Sequence, residues 1–457
     1  MQERRDLPSA KINVDLMDFT LHTPLWFWVV AFVLSSILGL AAITYIFVLY
    51  YGLELLGYQN TIVWGFLITN FVFWVGISHA GVMISAILRL SQAEWRRPVT
   101  RAAEVMTVFA LATAASFPVL HTGRPWRTLY WAFPYDYARG IFPDVRSALI
   151  WDPSAIFTYL SSSAAFVYVA LIPDLAVARD MTTGWKHTAY AILAMGFRGT
   201  GRQWKLQTTA GILLSALILP VFVSVHSIVS WDFAAAILPG YHATVFPPYF
   251  VIGAVHSGVS AVATLMAIVR KIFHLEDYIT PDHFDALGRL LTVVATGWLY
   301  FFLMDVFFGM MGEGTSELEV WTLRFFYAPY SFLIPIMIIT SYIIPVPLWL
   351  FRKMRRNITV MFWSSLCVNV GMWIERYYII VPPQSFKQVF SFLWIQSYAP
   401  RWADWILVIA SFALVSFGVL LFAKLFPIIP LFDIKEGQVL KQELRIGRVK
   451  VPAVIRE

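Results

Sequence analysis

The 457-residue chain has a single cysteine, Cys367. One thiol cannot close an internal disulfide, hold an iron–sulfur cluster through cysteines or carry a CxxCH haem attachment. Charge is scarce as well. Asp, Glu, Lys and Arg make up 13% of the residues, about half of the ~25% with which a soluble domain coats its surface. Hydrophobic residues make up 59%, and the chain reads as an integral membrane protein. The net charge of +7 does not point to nucleic acid, because the basic residues stand in short blocks between long apolar runs. A secretory signal is not expected either. Three basic and four acidic residues precede the first apolar run, and no small-residue cleavage site follows a short core. The first helix is therefore expected to be retained.

A spanning helix needs about 20 mostly apolar residues. Ten runs qualify, at about 26–51, 60–88, 104–121, 153–175, 206–230, 247–269, 289–311, 322–350, 357–380 and 403–424. The eighth contains Pro329, Pro335, Pro345 and Pro347, which predicts a kinked or shortened helix. With ten spans, both tails and the loops after even-numbered spans share one face. That face carries 26 of the 34 Lys and Arg and the other carries 7, with Arg376 inside a helix. The positive-inside rule then puts both termini in the cytoplasm. Segments 122–152, 231–246 and 381–402 face outward.

An internal repeat organises the spans. Gly76-Ile-Ser-His79-Ala-Gly81-Val in the second recurs as Gly253-Ala-Val-His256-Ser-Gly258-Val in the sixth, 177 residues later. Trp151-Asp152-Pro153 matches Tyr327-Ala328-Pro329 at a separation of 176. Four spans restore the starting side of the membrane. The expected fold is all-α, with two tandem four-helix bundles (spans 2–5 and 6–9) and peripheral first and tenth helices. The corresponding segments are a 1–25 tail, a 26–58 peripheral helix, bundles at 59–232 and 233–382, a 383–424 last helix and a basic 425–457 cytoplasmic tail.

Ionisable side chains cost about 2.5–3.5 kcal/mol at the centre of a spanning helix, so each is a functional candidate. His121, Asp152, His226, Asp232, Asp305, Glu375 and Arg376 gather toward the outward side, whereas His79 and His256 lie near mid-membrane. His121 opens the run His121-Thr-Gly-Arg124-Pro-Trp-Arg127. A boundary histidine can take a proton from a lipid-soluble substrate; equally, it can bond a terminal carbonyl while the arginines meet headgroups. Asp152-Pro153 suits a helix start, the Asp capping and the Pro at the first position. The repeat has Ala328 at that place, so the cap is dispensable and the carboxylate is free for a proton. Adjacent helical residues do not face one another, so Glu375 and Arg376 are each expected to meet another helix, with Asp152 or Asp305 as partner for Arg376. Glu54, Glu104 and Asp404 sit near helix ends and read as interfacial. A haem between histidines is disfavoured, because no helix stacks two of them across the membrane; His79 and His256 beside Gly76, Ala80 and Gly81 suit close packing. Trp126, Tyr130, Trp131, Phe133, Tyr135 and Tyr137 crowd the outward segment, as a slot for a flat ring or a dock for a partner.

His121-x-Gly-Arg-Pro after a span, paired bundles and the lack of redox ligands together resemble the NrfD/PsrC family of membrane quinone-interacting subunits. Smaller members resemble only the eight-helix core. Ten spans, the run Gly76 to Gly81, Ile150-Trp-Asp-Pro153 and Trp373-Ile-Glu-Arg376 are most similar to ActC, the quinol-oxidising membrane subunit of bacterial alternative complex III. The resemblance covers about residues 20–425. It implies a site for menaquinol or another quinol at the periplasmic edge of the first bundle, as bound substrate, with no haem, iron–sulfur cluster or metal held by this chain. By the same resemblance His121 and Asp152 take the quinol protons. His79, Arg124, Asp232, Glu375 and Arg376 line or support the pocket, and His256 and Asp305 belong to a proton relay. The implied partners are a periplasmic iron–sulfur subunit, a homologous NrfD-like membrane subunit and cytochrome c-type subunits in the bacterial inner membrane. The chain would be a subunit of a quinol-oxidising oxidoreductase, not catalytic alone. Two rival readings stay open: a secondary transporter, for which duplicated bundles and midplane histidines would fit, and a passive anchor for a redox partner.

Overall fold

The computed structural model describes residues 8–59, 62–127, 148–311, 314–385, 398–439, 442–446 and 449–453. Ten helices among them are long and apolar enough to cross a membrane, so the chain is a multi-pass membrane protein. In order the spans are α2 (Leu25–Tyr51), α3 (Phe66–Leu90), α4 (Thr100–His121), α5 (Ala148–Asp180), α7 (Gly201–Ala234), α8 (Phe246–Ile272), α9 (Pro281–Met311), α11 (Tyr330–Leu350), α12 (Ile358–Ser385) and α13 (Trp402–Leu425). Shorter helices are α1 (Ser9–Leu21), α6 (Gly184–Leu193), α10 (Thr315–Phe326) and α14 (Leu431–Val439). An antiparallel hairpin, β1 (Gln442–Ile446) with β2 (Val449–Ala453), is the one sheet among the described residues.

The eighth span breaks where its prolines predict. The chain leaves helix at Tyr327–Pro329 and relaxes into a π-turn over Ile339–Ile343 before Pro345, since a proline cannot donate to the turn before it. The 322–350 run is thus two helices, α10 and α11. Pro153, by contrast, lies inside a continuous α5, so the two repeat-matched prolines sit in different local structure.

Both terminal segments carry packed structure. The 1–25 segment contains α1, which buries Ile12, Leu16 and Met17 against the last span and α14. Lys424 donates to the carbonyls of Phe19, Thr20 and His22 at 2.7, 3.2 and 3.1 Å, serving the unpaired oxygens that end α1. In the 425–457 segment α14 is packed as well. Phe432 stacks on Trp204 at 3.9 Å, its N–H donates to Asp174, and Asp433 pairs with Arg96 at 3.3 Å. Burial pushes the Asp433 carboxyl up, but Arg96, Arg89, Arg97 and Arg101 outweigh it and hold the group below its usual range. Contact between α1 and α14 puts both described ends of the chain on one face.

Helices α3, α4, α5 and α7 form one bundle and α8, α9, α11 and α12 the other. The tenth span is wedged between α2 and the first bundle, leaving α2 as the outermost helix. The bundles meet where α3 crosses α8, and the repeated motifs make that crossing. A Cβ on Gly258 would lie 2.7 Å from the Ala80 Cβ and 3.0 Å from its backbone nitrogen. A Cβ on Gly76 would meet the Ser257 hydroxyl at 3.3 Å and, at ordinary contact distance, Ala254 at 3.6 and 3.8 Å. Small residues let the backbones approach, and Gly258 is the tighter of the two. Gly258→Val is expected to lower the melting temperature in detergent steeply, whereas Gly76→Ala should be near neutral. Equal losses would contradict this packing.

Candidate functional site

At the end of the first bundle opposite α1, helices α5 and α7 run antiparallel and bring two Trp-Asp dipeptides together. The Trp151 and Trp231 rings meet edge to face at 5.9 Å, and the Asp152 and Asp232 carboxyl groups come within reach of each other. Two carboxylates this close do not both ionise readily, so the pair is suited to holding one proton between them. Asp152 is 2% exposed. It does not cap a helix as its Pro neighbour suggested. Helix α5 begins at Ala148, so residue 152 already lies inside it and its carboxyl group is free for Asp232.

Deeper on α7, six residues or roughly 9 Å along the axis, His226 meets His79 with ring centroids 4.7 Å apart. Both His79 nitrogens face carbonyls, Nδ1 that of Val75 at 2.6 Å and Nε2 that of Phe222 at 3.0 Å. A neutral ring can donate to only one of them. Tyr159 packs on the same imidazole at 5.1 Å and donates to the Ser78 carbonyl.

His121 ends α4 on the Asp152 face, but it turns elsewhere. Its Nδ1 lies 3.2 Å from the Tyr58 hydroxyl. Burial first, and then the Asp404 carboxylate, raise the Tyr58 phenol well above its usual value, which keeps it protonated. Among the described residues no hydrogen bond, ion pair or ring contact joins His121 to Asp152. Asp404 is fully buried rather than interfacial: it accepts the Arg401 N–H at the start of the last span. Tyr58 and Asp404 were not legible as site residues. Arg124 is exposed, and the aromatics Tyr130, Trp131, Phe133, Tyr135 and Tyr137 lie outside the described residues, unlike the exposed Trp126.

A third cluster sits between the bundles. Arg376 pairs with its neighbour Glu375 at 3.3 Å, not with Asp152 or Asp305, and its guanidinium lies 4.8 Å over the Phe250 ring. Trp298 donates to the other Glu375 oxygen at 2.5 Å, which turns that carboxylate back toward its neighbour. Gly253 of the repeat leaves the room the guanidinium occupies, 2.8 Å from where a Cβ would stand. Phe250 under this cation also packs on His226 at 5.7 Å, so the cluster adjoins the buried histidines of the first bundle. His256 stacks edge-on against Trp298 at 5.7 Å. Asp305 lines a small cleft with His242, Glu317 and Trp321.

On the α1 face, Glu104 is also buried rather than interfacial. It accepts the Ser85 hydroxyl, beside the π-turn Met83–Ile87 of α3. Arg101 pairs with Asp174 at 3.1 Å. A cavity of about 270 Å³ opens beside them under α14. Glu54, by contrast, is exposed as expected.

The sequence profile described as polysulphide reductase, NrfD, matches residues 54–388. A curated relative from Halobacterium salinarum, provisionally named as a membrane subunit of a dimethyl sulfoxide reductase, is 24% identical over 269 residues. That match covers 58% of this chain and 56% of the relative, so the chain spans little more than half the length of the protein it matches.

Proposed function

This chain belongs to the polysulphide reductase NrfD family, and from that premise we propose that it is the quinol-binding membrane subunit of an oxidoreductase complex. The relative's name, that of a reductase membrane subunit, supports the oxidoreductase class. Oxidising a quinol breaks two O–H bonds, releases two protons and sends two electrons to an acceptor. A single cysteine gives this chain no cluster to receive them, so they pass to the iron–sulfur group of a partner subunit. The protons are this chain's part of the chemistry. The close pair of Asp152, which is buried, and Asp232 is the observation that carries the reading: the pair can hold one proton between its carboxyl groups and pass it outward as it takes another. His121 takes the first quinol proton through Nε2. That role requires the tautomer whose Nδ1–H donates to the Tyr58 oxygen, because the ring nitrogen left bare is then the one that accepts.

Ten spans and the Trp373-Ile-Glu-Arg376 run support the finer assignment to the quinol-oxidising subunit of alternative complex III, with menaquinol as substrate. Its partners would be a periplasmic iron–sulfur subunit, a second NrfD-like subunit and cytochrome c-type subunits. The charge asymmetry supports a bacterial inner-membrane setting with both termini cytoplasmic. A proton relay through His256, Glu375 and Asp305 is the further part of the proposal, supported by the buried cluster around Arg376.

Tyr58→Phe tests the role of His121. It removes one orienting hydrogen bond, worth about 0.5–1.5 kcal/mol, so quinol oxidation by the intact complex should fall about two- to tenfold. His121→Ala should fall further, and Tyr58→Phe should add nothing to it. Independent, additive losses would separate the two residues and sink this role.

A further inference from the structure

A crevice of about 600 Å³ opens on the α1 face, away from every site described above. Six spans wall it, through Leu34 of α2, Phe73 of α3, Met106 of α4, Leu265 of α8, Leu366 of α12 and Val419 of α13. It starts at Trp26, the second residue of α2, and at Phe273 and His274, just past the end of α8. Its deep end is Phe73, 17 residues from the near end of α3, or roughly 25 Å at 1.5 Å per residue.

Those dimensions select the occupant. The crevice is long and narrow, running about 25 Å into the membrane, and its walls are almost wholly apolar. That length and lining suit one hydrocarbon chain lying along the seam. The mouth adds the head. Phe19 stacks on Trp26 at 5.3 Å and touches Phe273 at 4.6 Å, an aromatic frame of the kind that sits at headgroup level. Lys271 and His274 are exposed beside it, and both suit a phosphate. A quinol tail is disfavoured as occupant, because His121 and Asp152 lie at the opposite face and a ring bound there would have to send its tail across the whole bundle.

We propose that this crevice holds one acyl chain of an anionic phospholipid, with its phosphate at Lys271 and His274. The chain seals the seam where α2 and α13 lean on the two bundles.

Native mass spectrometry of the detergent-purified chain, incubated separately with phosphatidylglycerol and phosphatidylcholine, tests the proposal. Wild type should retain one phosphatidylglycerol and at least tenfold less phosphatidylcholine. Ala261→Trp fills the crevice and should cut phosphatidylglycerol retention at least tenfold while the protein still elutes as a single folded species. Ser416→Phe, on the α13 wall, serves if Ala261→Trp does not fold. Replacing Lys271 and His274 by Glu should abolish the preference for phosphatidylglycerol. No retained lipid, equal retention by a folded crevice-filling variant, or a retained quinone in place of phospholipid would each overturn it.

Discussion

Asp152→Asn is expected to lower quinol oxidation by the intact complex at least a hundredfold while the complex still assembles. A positioned general base contributes about 10²–10⁴ in rate, and an amide cannot take a proton. The replacement has nearly the same shape and can donate its own N–H to Asp232, so the join between α5 and α7 survives. Because the two carboxyl groups hold their proton jointly, Asp232→Asn should cost about as much. The double variant should cost little more than either alone, since groups that act as a unit are not additive. Steady-state turnover with a water-soluble quinol reads all three. Full activity in Asp152→Asn would reduce the pair to a structural contact and favour the passive-anchor reading.

Glu375→Gln should produce the largest loss of stability. The carboxylate is fully buried and is the charge facing Arg376, which is itself 1% exposed. Removing one member of a buried ion pair strands the other, at about 3–5 kcal/mol. The Trp298 N–H keeps an acceptor in the glutamine oxygen, so the loss is one of charge. Glu375→Gln with Arg376→Met removes both charges and should recover most of the melting temperature in detergent. A double variant no more stable than Glu375→Gln alone would show that the pair is not what holds the bundles. The same variants address the relay: an unchanged proton-to-electron ratio in a stable double variant would remove Glu375 from it.

Hydropathy was enough for the ten spans, and proline chemistry for the break at Pro329, because both depend on local sequence. The repeat matched His79 with His256 and Gly81 with Gly258, and the small residues beside the histidines pointed to close helix packing, which Gly258 supplies where α3 meets α8. Side-chain partners were another matter. Arg376 pairs with its own neighbour because Trp298, 77 residues away in sequence, turns the Glu375 carboxylate. Asp404 and Glu104 read as interfacial because both stand near helix ends. Ser85, 19 residues from Glu104, is a contact that no local pattern reports. The packing of α14 was not legible either: Asp433 in the basic C-terminal segment meets Arg96, 337 residues away in sequence. The Asp152–Asp232 join did leave a trace, in the two Trp-Asp dipeptides at one membrane face. Their pairing becomes visible only once α5 and α7 are known to run side by side.

The most direct measurement is equilibrium binding of a quinol-analogue inhibitor to the purified, folded chain and to its Asp152→Asn and His121→Ala variants. The account predicts one saturable site in the wild type, weakened about tenfold in each variant, in line with about 1.4 kcal/mol for a hydrogen bond to a charged or polarised group. A folded wild type that shows no saturable binding, or variants that bind as tightly as it does, would contradict a quinol site at the outward edge of the first bundle.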